Sequence, residues 1–419
     1  MTPIRRLITA AGLTNLGDGI AVLAWAWAAS LLTRDAVWVA MVPVAVRLPW
    51  VLGALPAGVL ADRMDRRVLV LGADIVRALA FALVAAILWQ TVPPDTPQTD
   101  GAPPLLWALL GSALLVGAAE VVRDSAAAAL LPLLVPVAEL ERANGRLWSA
   151  ELVGNALAGP AVGAVLIGLA LAAPFAAAAG LYLSGALLML GLQAARQVRG
   201  PQRAMGAALA EGIAFLKAEP FLRQLVWITG AWNLFADMAL IALVLHAQEN
   251  LGLSAPAYGL ILAAGAVGGV AGGFAGSLAV RRIGPGRTAQ IGSVLGIPCF
   301  LVAAFVPNAI VLALALAVFE FSGLLWNTVS TAFRQRRVPD PLRGRVHGIY
   351  RLVSFAAMPL GMVLSGLLVE GAGLVLPRHQ ALIVPFVVAA LGLVGLNLLV
   401  WSRIGRGFGG RGPSPAPDG

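Results

Sequence analysis

Five ionisable side chains, Asp18, Arg47, Glu120, Asp237 and Glu320, stand near the middle of long apolar runs in a 419-residue chain. An ionised group at the centre of a hydrocarbon layer costs about 2.5 to 3.5 kcal/mol on insertion scales, so each needs a partner or a water-filled cavity. Carboxylates suit proton exchange, because burial favours the neutral acid and a nearby cation favours the ionised one. Asn15 and Asp18 share a helix face by their three-residue spacing, as do Glu120 and Arg123. Asp18, with Arg47 on the next run as counter-charge, is thus a candidate proton-coupling residue; a permanent Asp18 to Arg47 structural pair would satisfy the same two groups. Glu120 reads as a titrating group, as a binder of a cationic solute, or as the partner of Arg123. Asp237, Glu320 and Asn233 offer cavity groups in the second half of the chain, with interhelical hydrogen bonding as the alternative. Trp25, Trp27, Trp232 and Trp326 supply either aromatic surface for a lipophilic solute or ordinary packing.

The elements that must position these residues follow from composition. Apolar residues make up 59% of the chain and charged residues 12%, with a mean hydropathy of +0.87. Soluble domains carry roughly 25% charge. Runs of ~20 apolar residues, enough to cross a bilayer, recur about twelve times between Leu7 and Trp401. This predicts an all-α membrane protein of twelve transmembrane helices. The net charge of +9 does not point to nucleic acid, because the arginines fall in alternate connections. Arg5 and Arg6, Arg63 to Arg67, Arg142 and Arg146, Arg196 to Arg223, Arg281 to Arg287, Arg334 to Arg351 and Arg403 to Arg411 take one side; the other side holds only Arg34 and Arg378. By the positive-inside rule both termini are cytoplasmic, which requires an even number of spans. Arg5-Arg6 followed by an apolar run imitates a cleavable signal peptide, but Asp18 within the run and the even count favour a retained first helix.

An internal repeat divides the chain. Asn15-Leu16-Gly17-Asp18 recurs as Asn233-Leu234-Phe235-Ala236-Asp237, and Gly58 to Arg63 recurs as Gly276 to Arg281, both displaced by the same 218 residues. A third echo, Gly145-Arg146 and Gly344-Arg345, has a shorter offset. The expected organisation is two pseudo-symmetric six-helix bundles, residues 1–193 and 221–402, joined by a cytoplasmic linker, 194–220, and followed by a disordered cytoplasmic tail, 403–419. Met205, Leu209, Ile213 and Leu216 recur at helical spacing in the linker, which predicts an amphipathic helix on the membrane surface.

Gly58, Asp62, Arg63, Arg66 and Arg67 lie in a short loop between two spans. With this spacing the loop resembles the signature of the major facilitator superfamily. The resemblance implies a conformational latch of Gly58, Asp62, Arg63, Arg66 and Arg67, in which Asp62 faces the N-terminus of the helix near Val346, beside Arg345, and Arg66 pairs with Asp124 on the fourth span. Helix N-termini do attract carboxylates; the plainer alternative is that these charges only fix topology. The family has glycine where this chain has Asp65. Glu151, Asn155, Gly159, Pro160 and Gly163 form one stripe on the fifth span, similar to the family's antiporter motif, where the glycines allow close helix approach and Pro160 can bend the helix. The runs Ala128 to Pro136 and Arg142 to Arg146, with Arg47-Leu48-Pro49, resemble the enterobactin-exporter and macrolide-efflux branch.

The resemblance implies a secondary active transporter of the bacterial inner (plasma) membrane, a multi-pass protein in which two halves rock about a midplane cavity. The expected activity is proton-coupled efflux of a small amphiphilic compound such as a drug, antibiotic or siderophore. A facilitator importing a small solute and a transport-inactive membrane sensor are the alternatives. The expected partners are membrane lipid and a small-molecule substrate, without nucleic acid, for a chain that acts as a monomer. The proton gradient supplies energy and no cofactor is expected. An ATP-driven pump is excluded, since a P-loop needs Gly-Lys-Ser/Thr and the sole lysine, Lys217, lies in Phe-Leu-Lys-Ala. Cys299 with His246, His347 and His379 makes no metal set and gives an enzyme little to work with.

Overall fold

The structure, a computed structural model, describes residues 2–91, 103–136, 139–192 and 205–409. Among these there is no strand, and twelve segments are long and apolar enough to cross a membrane. In chain order the helices are α1 (Pro3–Leu32), α2 (Ala36–Arg63), α3 (Arg66–Thr91), α4 (Pro103–Leu130), α5 (Leu140–Glu151), α6 (Gly159–Leu169) and α7 (Ala173–Leu190). There follow α8 (Met205–Ala218), α9 (Pro220–Leu245), α10 (Ala255–Ile283), α11 (Pro285–Val294), α12 (Gly296–Phe305), α13 (Ala309–Arg337), α14 (Asp340–Gly373), α15 (Arg378–Ala381) and α16 (Val384–Gly409). The fifth span is α5 and α6 joined by a π-helix, Leu152–Ala158, and the ninth is α11 with α12.

Local chemistry explains the boundaries. The Asp35 carboxylate accepts from the Val37 and Trp38 amides at 2.8 and 3.2 Å and starts α2; Asn308 does the same for α13 through Ile310 and Val311. Asp65, the family's glycine position, accepts from the Arg67 amide at 2.8 Å at the head of α3. No non-glycine residue has a positive φ among those described, so the turn needs no glycine there. Pro160 has no N–H for the carbonyl four residues back, and the helix widens just before it: Gly159 donates to the Gly154 carbonyl instead. Where a bend is expected from Pro160, the structure has seven residues of π-helix ahead of it.

By contacts the chain divides into two compact units that do not follow the halves of the sequence. Unit 1 holds residues 1–202 together with 236–263 and 355–385; unit 2 holds 203–235, 264–354 and 386–419. In unit 1, α1 is buried along its length, with Leu7, Ile20, Leu23 and Leu32 each at most 1% exposed, as expected for a helix that is apolar on every side. It meets the fifth span through glycines: a Cβ on Gly19 would lie 2.5 Å from the Asn155 carbonyl oxygen, one on Gly159 would lie 2.5 Å from Gly19 Cα, and one on Gly163 would lie 2.9 Å from the Ile20 carbonyl oxygen. The other edge of this span meets α10, with Pro256 beside Gly168. In unit 2, α10 presents Gly268 and Gly272 to Ala317 and Phe321 of α13.

Two expectations about the connections change. The linker helix α8 does not lie apart on a membrane surface: Phe215 and Leu216 pack on Leu222, Val338 and Val346, while the Met205 and Leu209 side chains and residues 193–204 lie outside the described residues. The tail expected to be disordered from residue 403 stays helical to Gly409, because Ile404 and Phe408 are buried against Phe221, Phe333 and Trp326; residues 410–419 lie outside the described residues. Cys299 is buried on α12.

Candidate ion-pair site in the membrane-spanning helices

α3 has two faces. Ile75, Leu79 and Leu83, four residues apart, are 39, 66 and 56% exposed, a stripe suited to lipid, whereas Asp74, Arg77 and Phe81 on the opposite side are all at 0%. The inward face puts two opposite charges, three residues apart, into the interior of unit 1, where intramembrane charges generally point. There Arg77 meets α1: an Nη2 hydrogen of Arg77 is donated to Asp18 Oδ1. Tyr182 of α7 donates its hydroxyl to the same carboxylate oxygen at 2.9 Å, and its ring lies under the Arg77 guanidinium at 4.0 Å. α4 closes the cluster. Arg123 donates to Thr14 Oγ1 at 2.7 Å and to Asp124 at 3.0 Å, and its Nε stands 3.5 Å from Asp74. Beside these ions Trp25, Phe81, Phe175 and Tyr182 meet in tilted and edge-to-face contacts with centroids 5.1 to 5.9 Å apart, so the charges border an aromatic cluster.

The expected Asp18 to Arg47 pair is therefore replaced by Asp18 to Arg77. Arg47 is exposed on α2, which packs on α4, with Gly117 against the Val46 backbone; there its charge acts on Glu120 and on Asp237. Arg123, expected beside Glu120, is turned to Thr14, Asp74 and Asp124. Glu120 and Asp237 are half-buried within unit 1. Asn15 stays on its own helix, donating to the Ala11 carbonyl at 2.8 Å, whereas its repeat partner Asn233 bridges α9 to α14 through the Ser354 carbonyl at 3.0 Å. Glu320 lies in unit 2, on α13 beside Gly265 and Gly269 of α10. The tryptophans are used in packing: Trp27 lies 5.6 Å from Tyr258, Trp232 stacks on Phe319 and Trp326 donates to Thr229. Asp74, Arg77, Thr14 and Tyr182 escaped the sequence reading, although Asp74 and Arg77 at one-turn spacing inside an apolar run were a usable signal.

The loop expected over 58–67 shrinks to Met64 and Asp65, because α2 continues to Arg63 and α3 starts at Arg66; the arginines that open α3 act on helix ends. Arg66 donates to the Ala129 carbonyl at 2.8 Å, at the C-terminus of α4, and Arg67 donates to the Met189 and Leu190 carbonyls that end α7. Both place positive charge where a helix leaves carbonyls unpaired. Asp124, the expected partner of Arg66, is engaged by Arg123 instead, being nearly two turns from that helix end. Gly58 has no neighbour within 4 Å of a hypothetical Cβ, Arg63 is exposed and ends α2, and the Asp62 side chain lies outside the described residues. Arg345 is paired with Glu211 of the linker helix, where α8 lies across the start of α14, with Gly212 against Ile349. Glu151 is exposed and Asn155 half-buried.

A second network closes the end of unit 1 that holds the 33–35, 251–254 and 374–383 connections. Arg378 donates to Glu249 at 3.0 Å, to Glu370 at 3.4 Å and to the Arg34 carbonyl at 2.5 Å. Arg34 donates to Gln248 at 2.6 Å, and Glu370 accepts from the Ala36 amide at 2.8 Å. The two arginines that break the charge pattern are neighbours here.

Known proteins bear on this arrangement. The chain is 29% identical over 407 residues to the protein named "Multidrug efflux pump Tap" in Mycobacterium bovis and Mycobacterium tuberculosis, covering 91% of this chain and 90% of that protein. It is 25% identical over 395 residues to the protein of that name from Mycolicibacterium fortuitum, covering 89% and 90%. Among solved structures, a mutant of the nucleoside transporter NupG superposes with a TM-score of 0.77 at 13% identity, covering 96% of this chain and 100% of that one. A bacterial homologue of the human lysosomal transporter Spinster gives 0.72 at 18% identity, covering 99% and 98%. Twelve apolar spans and these relatives make the chain a multi-pass transport protein of the bacterial inner membrane and not an enzyme. With the family's sequence profile matched over residues 7–362 and 226–416, the chain belongs to the Major Facilitator Superfamily.

Proposed function

We propose that the protein exports small amphiphilic compounds, drugs or antibiotics among them, by alternating access in exchange for protons. Export is supported by the relatives named as multidrug efflux pumps, which align over nine-tenths of both chains. Proton coupling is supported by one observation above others: Asp18 is a carboxylate within a membrane-spanning helix, 15% exposed, held by Arg77 and Tyr182 from two other helices. Such a group changes its proton affinity when its partners or its access to water change. The termini and the arginine-rich connections face the cytoplasm in this reading.

Everted membrane vesicles test it. With a panel of fluorescent lipophilic cations and neutral amphiphiles, uptake into vesicles driven by an imposed pH gradient is expected for the wild type. A protonophore should abolish it, and Asp18→Asn, present at the same level in the membrane, should reduce it at least tenfold. Solute movement that follows its own gradient and ignores the protonophore would identify a facilitator instead.

A further inference from the structure

The ion cluster contains an acceptor without donors next to donors without acceptors. Asp74 is 0% exposed, yet neither of its carboxylate oxygens accepts a hydrogen bond, and Arg77 Nε and Nη1, also buried, donate none. These groups already face each other, with Arg77 Nη1 3.8 Å from Asp74 Oδ1. A buried carboxylate normally collects hydrogen bonds, and one that lacks them calls for an explanation. Arg77 spends its described bond on Asp18, while the Tyr182 ring beneath it offers a cation-attracting surface on which the guanidinium can shift.

We propose that Arg77 exchanges partners, from Asp18 to Asp74, when Asp18 takes up a proton. The inference rests on the reading of Asp18 as a proton-coupling group. When Asp18 gains a proton from water it loses its charge, and its hold on the guanidinium weakens; Asp74, one short side-chain rotation away, then offers carboxylate oxygens that accept no other hydrogen bond. Asp74 is a positioning residue: by receiving the released cation it lowers the cost of protonating Asp18. The charged and titratable groups around this pair come from every packed element. Asp18 lies on α1 beside Thr14, Asp74 and Arg77 on α3, Glu120, Arg123 and Asp124 on α4, and Tyr182 on α7, while Arg47 of α2 acts on Glu120. The fifth span presents to α1 the uncharged Gly154, Asn155, Gly159 and Gly163. Arg123 gives its Nη hydrogens to Thr14 and Asp124, while its Nε, 3.5 Å from Asp74, is a third buried donor that makes no hydrogen bond.

The direct experiment is an experimental structure of Asp18→Asn, where the neutral amide stands for the protonated acid. Arg77 is expected within hydrogen-bond distance of Asp74. A guanidinium still bound at position 18, or turned to Glu120, overturns the proposal. Infrared difference spectra of the wild type in liposomes, acid against alkaline buffer, need no substitution that could disturb folding. The carboxylic C=O band of Asp18 should rise in step with a shift of the guanidinium bands. In Asp74→Asn the guanidinium shift should vanish and the carboxyl midpoint should move to lower pH by about one unit, a tenfold loss of proton affinity; Asp74→Glu should restore both. A carboxyl that does not titrate, or one that titrates with the guanidinium bands unmoved, refutes partner exchange. None of these readings needs a transported solute, so absence of pH-driven export in vesicles would sink the transport reading and leave the exchange to stand or fall by itself.

Discussion

Arg77 is the side chain on which the cluster depends. It is fully buried, and its removal would leave Asp18 without its cation and Asp74 with Arg123 alone. Breaking a buried ion pair by deleting one partner costs about 3 to 5 kcal/mol. Arg77→Ala is therefore expected to unfold at markedly lower temperature in detergent than the wild type; an unchanged transition would show that the cluster is hydrated. Tyr182→Phe removes only the hydroxyl given to Asp18, a hydrogen bond to a charged group worth about 1.5 to 3 kcal/mol, and keeps the ring under the guanidinium. It should be milder than Arg77→Ala by the same assay. Of these residues only Asp18 stood out in the sequence. A single charge interrupting an apolar run is conspicuous, but its partner is a matter of which helix lies beside it, and Arg47 and Arg77 were equally available on chemical grounds.

At the level of elements, the fifth span shows why its glycines are where they are. Gly159 and Gly163 receive Gly19 and Ile20 of α1, and the π-helix before Pro160 carries the chain around that contact. A side chain at Gly159 would force α1 and α6 apart, at a typical overpacking cost of about 1 to 3 kcal/mol. Gly159→Val should lower both thermal stability and vesicle transport, while Gly72→Ala on α3, with open space around its Cβ, should change stability by no more than about 1 kcal/mol, in the stabilising direction. Equal losses in the two variants would contradict the packing account. The four-residue stripe made close approach legible, since small residues at that spacing serve little else; the π-helix was not legible, because its cause is a missing donor at Pro160 combined with the pressure of a neighbouring helix. The linker shows the same limit. Its apolar spacing announced an amphipathic helix, but the surface it covers, Leu222, Val338 and Val346, is formed by residues distant in sequence.

For the whole molecule, the Arg34 and Arg378 network ties the start of α2 to the ends of α9 and α14 within unit 1. Under alternating access this end must open, and the network has to come apart when it does. Arg378→Gln should ease that opening. A Val39→Cys probe in a Cys299→Ala background, at a position now 1% exposed on α2, is expected to react faster with a water-soluble maleimide once Arg378 is replaced. An unchanged labelling rate would mean that apolar packing alone holds this end closed. Arg34 and Arg378 were visible beforehand as the only arginines on the sparsely charged side, and the charge bias that made them exceptions is the one that predicted the topology.

The sequence by itself determined the number of spans, the segregation of arginines, the internal repeat and the close-packing stripe. Each depends on residue types at fixed intervals along one chain, and a helix converts such intervals into length and face. Tertiary structure alone decided which charge meets which: Asp18 with Arg77, Arg66 with the end of α4, Arg345 with Glu211. Periodicity fixes the residues that share a helix face but leaves open how that helix is rotated and what stands beside it, and inside a membrane, where an ion needs a partner within a few ångströms, those two variables settle the chemistry.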